Sequence, residues 1–390
     1  MNIIEETERI YPKVVEMRRH LHENPELSEH EKETSEFVAA RLAELGIPFS
    51  DHVAGYGIVA QIGTGDHAVG IRADMDALPV TEATGLACSS KNPGVMHACG
   101  HDFHTAILLG VAELLKKCED EVNAKHGAVK LFFQPSEETV GGADRMIKEG
   151  WLENPKVTAM IALHVDPNYP TGKTVLRYGP MNAETQDFRL KAIGTSCHGA
   201  HPEKGIDAIV MASSMITELQ TISSRYNAPT TPVIVTVGTI TAGDAGNVVA
   251  GEAVMTGTMR ALEPGVMAEN KKLFEMIVNG VAASYGGRAE VKWGNDGYPA
   301  LINDDDINDC VRKNAVMLFG EDNIEIMPDA SLGGDDFAFF TKRIKGAYFN
   351  IGTAAEGAPY YALHNEHFSP DESAMKTGIA VNVATALDLL

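Results

Sequence analysis

The sequence predicts an α/β protein with a mixed sheet, interrupted by a smaller ferredoxin-like domain of β-α-β-β-α-β order. Three observations predict this. Short apolar runs alternate with helical periodicity in the outer parts of the 390 residues, the pattern of a sheet buried on both faces. The middle reads strand, helix, two adjacent strands, helix, strand, a complete unit of its own. The length also exceeds one ordinary domain. Boundaries at 185 and 295 divide the chain into an outer domain, 1–184 with 296–390, and an inserted domain, 185–295.

The elements follow in order. Ser28 and Glu31 read as a capping box before a helix carrying Phe37, Val38, Leu42 and Leu45, which Gly46 closes. Strand-like runs lie at 57–62 and 69–73. A helix over 103–117 places Ile107, Val111, Leu114 and Leu115 on one face. Apolar strands follow at 129–133 and 157–165. In the insert, 187–193 reads as strand and 205–226 as a long helix. Strands at 232–240 and 252–261, a helix at 266–285 and a strand at 289–293 complete it. A helix at 306–319, a strand at 347–351 and a helix at 371–390 return the chain to the outer domain.

Composition narrows the function. Asp and Glu number 54 against 32 Lys and Arg, a formal net charge of -22, and no basic run interrupts it. Such a surface repels phosphate backbones and anionic lipids, so nucleic-acid and membrane partners are not expected. The start MNIIEETERIYPK is acidic and lacks a secretory apolar core. No run of about 18 apolar residues exists, so the expected location is the cytoplasm. Cys88, Cys99, Cys118, Cys197 and Cys310 are odd in number and form no CxxC pair, which favours reduced thiols over a disulfide framework.

Chemistry-bearing residues cluster in the outer domain. His97-Ala98-Cys99-Gly100-His101-Asp102-Phe103-His104 stands at the expected helix entrance. A thiolate and an imidazole two residues apart can reach one metal region, although a polar loop with satisfied histidines gives the same letters. Glu137 and Glu138 follow the strand at 129–133, where one carboxylate can bind metal while the other takes a proton from water. A lone Glu-Glu pair is more often a solvated turn. His164 ends another strand and His364 lies in Leu363-His364-Asn365. Asp74 and Asp76 end a third strand, where carboxylates commonly orient ligand histidines, or where Asp76 makes an Asx turn before Pro79. Cys99, His101, Glu138, His164 and His364 together exceed what one tetrahedral zinc needs and suit two metals.

These segments resemble the metal-dependent aminoacylase/carboxypeptidase amidohydrolases, the group of hippurate hydrolase, N-acyl-amino-acid amidohydrolases and indoleacetyl-amino-acid hydrolases. The resemblance rests on RRHLHENPELSEHE, IRADMDALPV, GVMHACGHDFHTAILLG, LFFQPSEE, ALHV, GGDDFAFF and LHNEHF, in order over nearly the whole chain from His20. It implies a dinuclear metal hydrolase acting on N-acyl amino acids or related small amides, with a ferredoxin-like lid and a homodimer formed through it. It implies Cys99, His101, Glu138, His164 and His364 as ligands of two divalent ions, manganese or zinc first and cobalt or nickel compatible. Glu137 is implied as general base, with Asp76 beside it in the catalytic set. In the insert, Cys197-His198-Gly199-Ala200-His201-Pro202 is similar to the family's GHAA-P-H segment, but Gly199 stands for an alanine and Ser196-Cys197 for a glycine pair. His198 is implied to hold the substrate carbonyl, often in the neighbouring subunit's site, and Asn247 and Arg260 to hold the amino-acid end. A dipeptidase, a non-catalytic metal-binding relative and a thiol enzyme using Cys99 or Cys197 are the competing readings.

Overall fold

Every residue of the strand Gly127–Gln134 is buried, because sheet neighbours flank it and helices cover both faces. The computed structural model describes residues 1–294 and 297–390. The expected end of the insert at 295 and the expected return to the outer domain at 296 lie outside the described residues. The chain forms two units, one of Met1–Gly179, Ile302–Asp329 and Asp335–Leu390, the other of Pro180–Leu301 and Ala330–Gly334.

The first unit holds an eight-stranded mixed sheet. Its elements include α1 (Ile3–Glu23), α2 (Lys32–Glu44), β1 (Phe49–Val53), β2 (Gly57–Ile62), β3 (His67–Asp74), α3 (His101–Lys117), β4 (Gly127–Gln134), β5 (Lys156–Pro170) and β6 (Thr174–Leu176). The strand order is β1-β2-β4-β3-β5, then Lys345–Ala354, β6 and Ile324–Ile326. β3 runs parallel to both β4 and β5, with Asp74 opposite Gln134 and Arg72 opposite Ala162. The carboxyl ends of three strands therefore open on one edge, the usual place for ligands in open α/β sheets. α3 is buried on nearly every side, not on the single face the periodicity predicts, because α1 and the helix Ala374–Leu389 enclose it against the sheet.

The sequence reading assigns no helix to the first 23 residues. Yet Ile10, Val14, Met17 and Leu21 stand at helical spacing and are buried along α1. The end of α1 is tied down by charge. Arg18 Nε and His22 Nδ1 each lie 2.8 Å from Asp102 Oδ2, and His22 Nε2 lies 3.4 Å from Glu82 Oε1. Burial raises the Glu82 carboxyl, but His22 and the Ser90 N–H outweigh it and bring it down to about 2. Its folded value is depressed, so the stability it contributes is present above the ordinary carboxylate range and is lost as pH falls toward 2. Glu82→Gln is expected to flatten the acid limb of unfolding stability between about pH 5 and 2, read by denaturant unfolding across pH. An unchanged limb would remove Glu82 from that role.

The capping box expected from Ser28 and Glu31 does not form. Glu31 is the N-cap of α2 but makes no side-chain cap bond. Glu26 caps instead, accepting Glu33 N at 3.1 Å and Thr34 N at 2.8 Å. Ser28 Oγ donates to Asp76 at 2.6 Å. Tertiary contacts have taken both residues from their local rule.

The second unit carries a four-stranded antiparallel sheet in the order Val233–Ala242, Glu252–Ala261, Glu184–Ile193, Arg288–Trp293. The helices Ala208–Leu219 and Val266–Ser284 pack against it around Phe188, Met255 and Phe274. This is the β-α-β-β-α-β order of a ferredoxin-like unit. The expected helix at 205–226 is shorter, since Asp207 accepts from Ile209 N and Val210 N and starts it there, and a π turn at Ile222–Tyr226 ends the segment. Among the described residues no helix is long and apolar enough to cross a membrane.

Candidate metal centre

The turn before α3 places the first donors. Gly100 is the N-cap at φ 97°, and a Cβ there would meet Val165 Cγ2 at 2.3 Å. Only glycine fits this left-handed, crowded position, and it sets Cys99 and His101 on either side. Two three-donor groups then share the Cys99 sulfur. One is Cys99, His101 and His164, the other Cys99, Glu138 and His364, with ligand atoms in each group within 4.8 Å of one another. Cys99 Sγ lies 3.4 Å from His164 Nε2, and Glu138 Oε1 lies 3.5 Å from His364 Nε2 and 3.9 Å from His101 Nε2. Donors on a tetrahedral ion with bonds near 2.1 Å stand about 3.4 Å apart. Glu138 Oε1 is buried and makes no hydrogen bond among the described residues. A carboxylate oxygen facing two imidazoles and a thiol without a hydrogen-bond donor of its own fits a cation, and the mixed sulfur, nitrogen and oxygen set suits divalent metal ions.

His364 is the most exposed donor, its side chain 54% accessible. Its backbone is left-handed at φ 66°, and its N–H donates to Ala98 O at 2.8 Å. Non-glycine residues hold such a conformation where surrounding contacts enforce it, often at functional sites.

A buried network stands behind the donors. Asp76 Oδ1 lies 3.3 Å from His101 Nδ1 and accepts Glu137 N at 3.1 Å, while Oδ2 accepts Glu138 N at 2.9 Å. One carboxylate thus aims an imidazole and fixes the turn carrying both glutamates. Glu137 is 7% exposed. Burial, with Asp335 and Glu138 near, pushes its carboxyl well above the usual range.

Asp74 Oδ1 bonds His104 Nδ1 at 2.6 Å, and His104 Nε2 accepts Val165 N–H at 3.1 Å, next to His164. Both nitrogens of His104 are engaged, so it supports the centre without ligating. Arg72 binds Asp74 Oδ2 at 2.6 Å, Asp336 Oδ1 at 2.7 Å and Gln134 Oε1 at 2.9 Å, and Gln134 stands shortly before the glutamate pair. Burial disfavours the Arg72 charge, but Asp335 and Asp74 hold it well above its ordinary value. Arg72→Met is expected to destabilise the metal-free protein by about 3–5 kcal/mol in denaturant unfolding, because it strands buried carboxylates. A loss under about 1 kcal/mol would show that the carboxylates find other partners.

Residues 70–388 match peptidase family M20/M25/M40. The chain is 38% identical over 365 residues to N-acetyl-L-cysteine deacetylase of Bacillus subtilis, covering 93% of this chain and 84% of that protein. It is 35% identical over 380 residues to thermostable carboxypeptidase 2 of Saccharolobus solfataricus, covering 96% and 94%. In structure it is similar to the Bacillus subtilis YXEP protein, described as a dinuclear metal binding peptidase from the M20 family. That likeness has a TM-score of 0.85 at 32% identity and covers 98% and 99% of the two chains.

The chain belongs to peptidase family M20/M25/M40. As an M20 protein it is a hydrolase, and Cys99, His101, Glu137, Glu138, His164, His364 and Asp76 converge in its first unit. His198, Asn247 and Arg260 belong to the second unit. There Cys197–His198 pairs with Val248–Val249, and Gly199 N donates to Asn247 O at 2.8 Å. His198 is exposed, and its Nδ1 accepts Ala200 N–H at 3.0 Å, which leaves the proton on Nε2 as a donor. Arg260 is half-buried in the four-stranded sheet, between Ile234 and Thr185. The sequence reading missed Arg72, His104, Asp335 and Asp336; GGDDFAFF marked the last two, and His104 lay inside the cluster already noted.

Proposed function

We propose that this M20 protein hydrolyses the amide bond of N-acyl amino acids, with Cys99, His101, Glu138, His164 and His364 holding two divalent cations and Glu137 as general base. The two donor groups that share Cys99 carry this reading, and the deacetylase named above supports the substrate class. Manganese and zinc are the first candidates, since the donors mix soft and hard atoms. The unpaired cysteines agree with a cytoplasmic setting.

The cations would supply Lewis-acid polarisation of the amide carbonyl and a lowered pKa for water. The other steps fall to side chains. Glu137 takes the proton from the attacking water and returns it to the leaving amine. Asp76 keeps Glu137, Glu138 and His101 in register through the three contacts above. His198 donates from Nε2 to the developing oxyanion, and Arg260, with Asn247, grips the amino-acid carboxylate.

The test is hydrolysis by metal-free protein reloaded with manganese, zinc, cobalt or nickel in turn. The substrates are acetyl, benzoyl and indoleacetyl amino acids, N-acetyl-diaminopimelate and dipeptides. Turnover of the N-acyl amino acids above the dipeptides supports the reading. The reverse order would favour a peptidase, in line with the carboxypeptidase relative.

We also propose a homodimer through the second unit, with His198 serving the partner's site. Mixing inactive His198→Ala subunits with inactive Glu137→Gln subunits is then expected to restore activity in about half the sites of each heterodimer. No restoration would assign His198 to its own subunit, and a monomer by sedimentation would defeat the dimer.

A further inference from the structure

In the segment RRHLHENPELSEHE, Ser28 already meets Asp76, and the last residue, Glu31, reaches the turn that carries the glutamate pair. The Glu31 carboxylate is fully buried, 105 residues from its partner. Its Oε1 accepts Ser136 N at 2.7 Å and Ser136 Oγ at 3.1 Å. Glu29 N donates to Ser136 Oγ at 3.0 Å, and Gly141 N closes the turn on Ser136 O at 3.0 Å. Ser136 is buried and left-handed at φ 58°, a conformation a serine does not hold without support. It stands directly before Glu137 and Glu138. Glu31 is free for this because Glu26 caps α2 in its place.

We infer that Glu31 is a positioning residue that clamps Ser136 in its left-handed backbone and so sets the Glu137–Glu138 pair. The inference rests on the role given to Glu137 above. Asp76 holds the same turn through Glu137 N and Glu138 N, so with Ser136 N on Glu31 the turn is gripped at three successive amides. A buried carboxylate at an N-cap that does not cap its own helix has this clamp as its observed use.

The test compares variants of the metal-loaded enzyme. Glu31→Met, which removes the acceptor, is expected to lower kcat about 100-fold with little change in KM. Glu31→Gln keeps an acceptor oxygen and is expected to stay within about 3-fold. Adding Ser136→Gly to Glu31→Met is expected to recover at least about tenfold, because glycine takes positive φ unaided. In the metal-free protein, hydrogen exchange of the 134–141 peptide is expected to quicken in Glu31→Met and not in Glu31→Gln. If Glu31→Met does not fold, Glu31→Asp, shorter by one methylene, is judged by the same criteria. A folded Glu31→Met with kcat within twofold of wild type, with unchanged exchange or without rescue by Ser136→Gly overturns the inference. Glu137→Gln is run beside it: if that variant is inactive while Glu31→Met is normal, only the clamp fails, and if it turns over normally, the functional reading fails first.

Discussion

Glu137→Gln is expected to keep both cations and to lose about 10²–10⁴-fold in kcat. Glutamine preserves the shape of the turn and the backbone bonds to Asp76, but it has no basic oxygen for the proton of water. On the same reading Glu138 does not substitute, because its Oε1, facing His101 and His364, would be taken up by a cation. Metal analysis beside steady-state kinetics checks the result. Turnover near wild type with two ions bound would remove Glu137 from the mechanism.

Cys99→Ser is expected to weaken both metal sites together, by at least about 10–100-fold, and to lower the rate with them. The reason is the shared sulfur: Cys99 belongs to both three-donor groups. Burial pushes the Cys99 thiol well above its usual range, and a bound cation reverses that by stabilising the thiolate. Serine stays a neutral hydroxyl under the same field. Competition against a chelating indicator measures the affinities. Two ions bound with unchanged affinity would exclude Cys99 as a ligand.

Both effects concern residues that the sequence singles out as local clusters, although the family resemblance, not the letters alone, gives Glu137 and Cys99 their roles. Cys99 and His101 are two residues apart at a helix entrance, and Glu137 and Glu138 follow an apolar strand. Short spacing and strand ends leave their mark in the letters. The inserted sheet is legible for a similar reason, since its alternation of strand and helix is complete in itself. The supporting shell is not legible, because its bonds join distant positions. Arg72 meets Asp336 across 264 residues and Glu31 meets Ser136 across 105. The misread capping box shows the same cause. Ser28 and Glu31 satisfy a local rule, but the site uses both, and a rule that fails beside a functional site is informative. His104 shares a cluster with Cys99 and His101, yet both its ring nitrogens are bonded to Asp74 and Val165, partners that only the fold brings to it.

The central claim is that two cations around Cys99 drive amide hydrolysis with Glu137 as base. The most direct measurement is a titration of metal-free protein with Mn²⁺ or Zn²⁺, following ion binding by calorimetry and hydrolysis of an N-acetyl amino acid in parallel. The account predicts two ions bound per chain, full turnover only as the second site fills, and no turnover from Glu137→Gln at the same occupancy. Full turnover in chelator-treated protein, or saturation of both binding and rate at one ion, would contradict it.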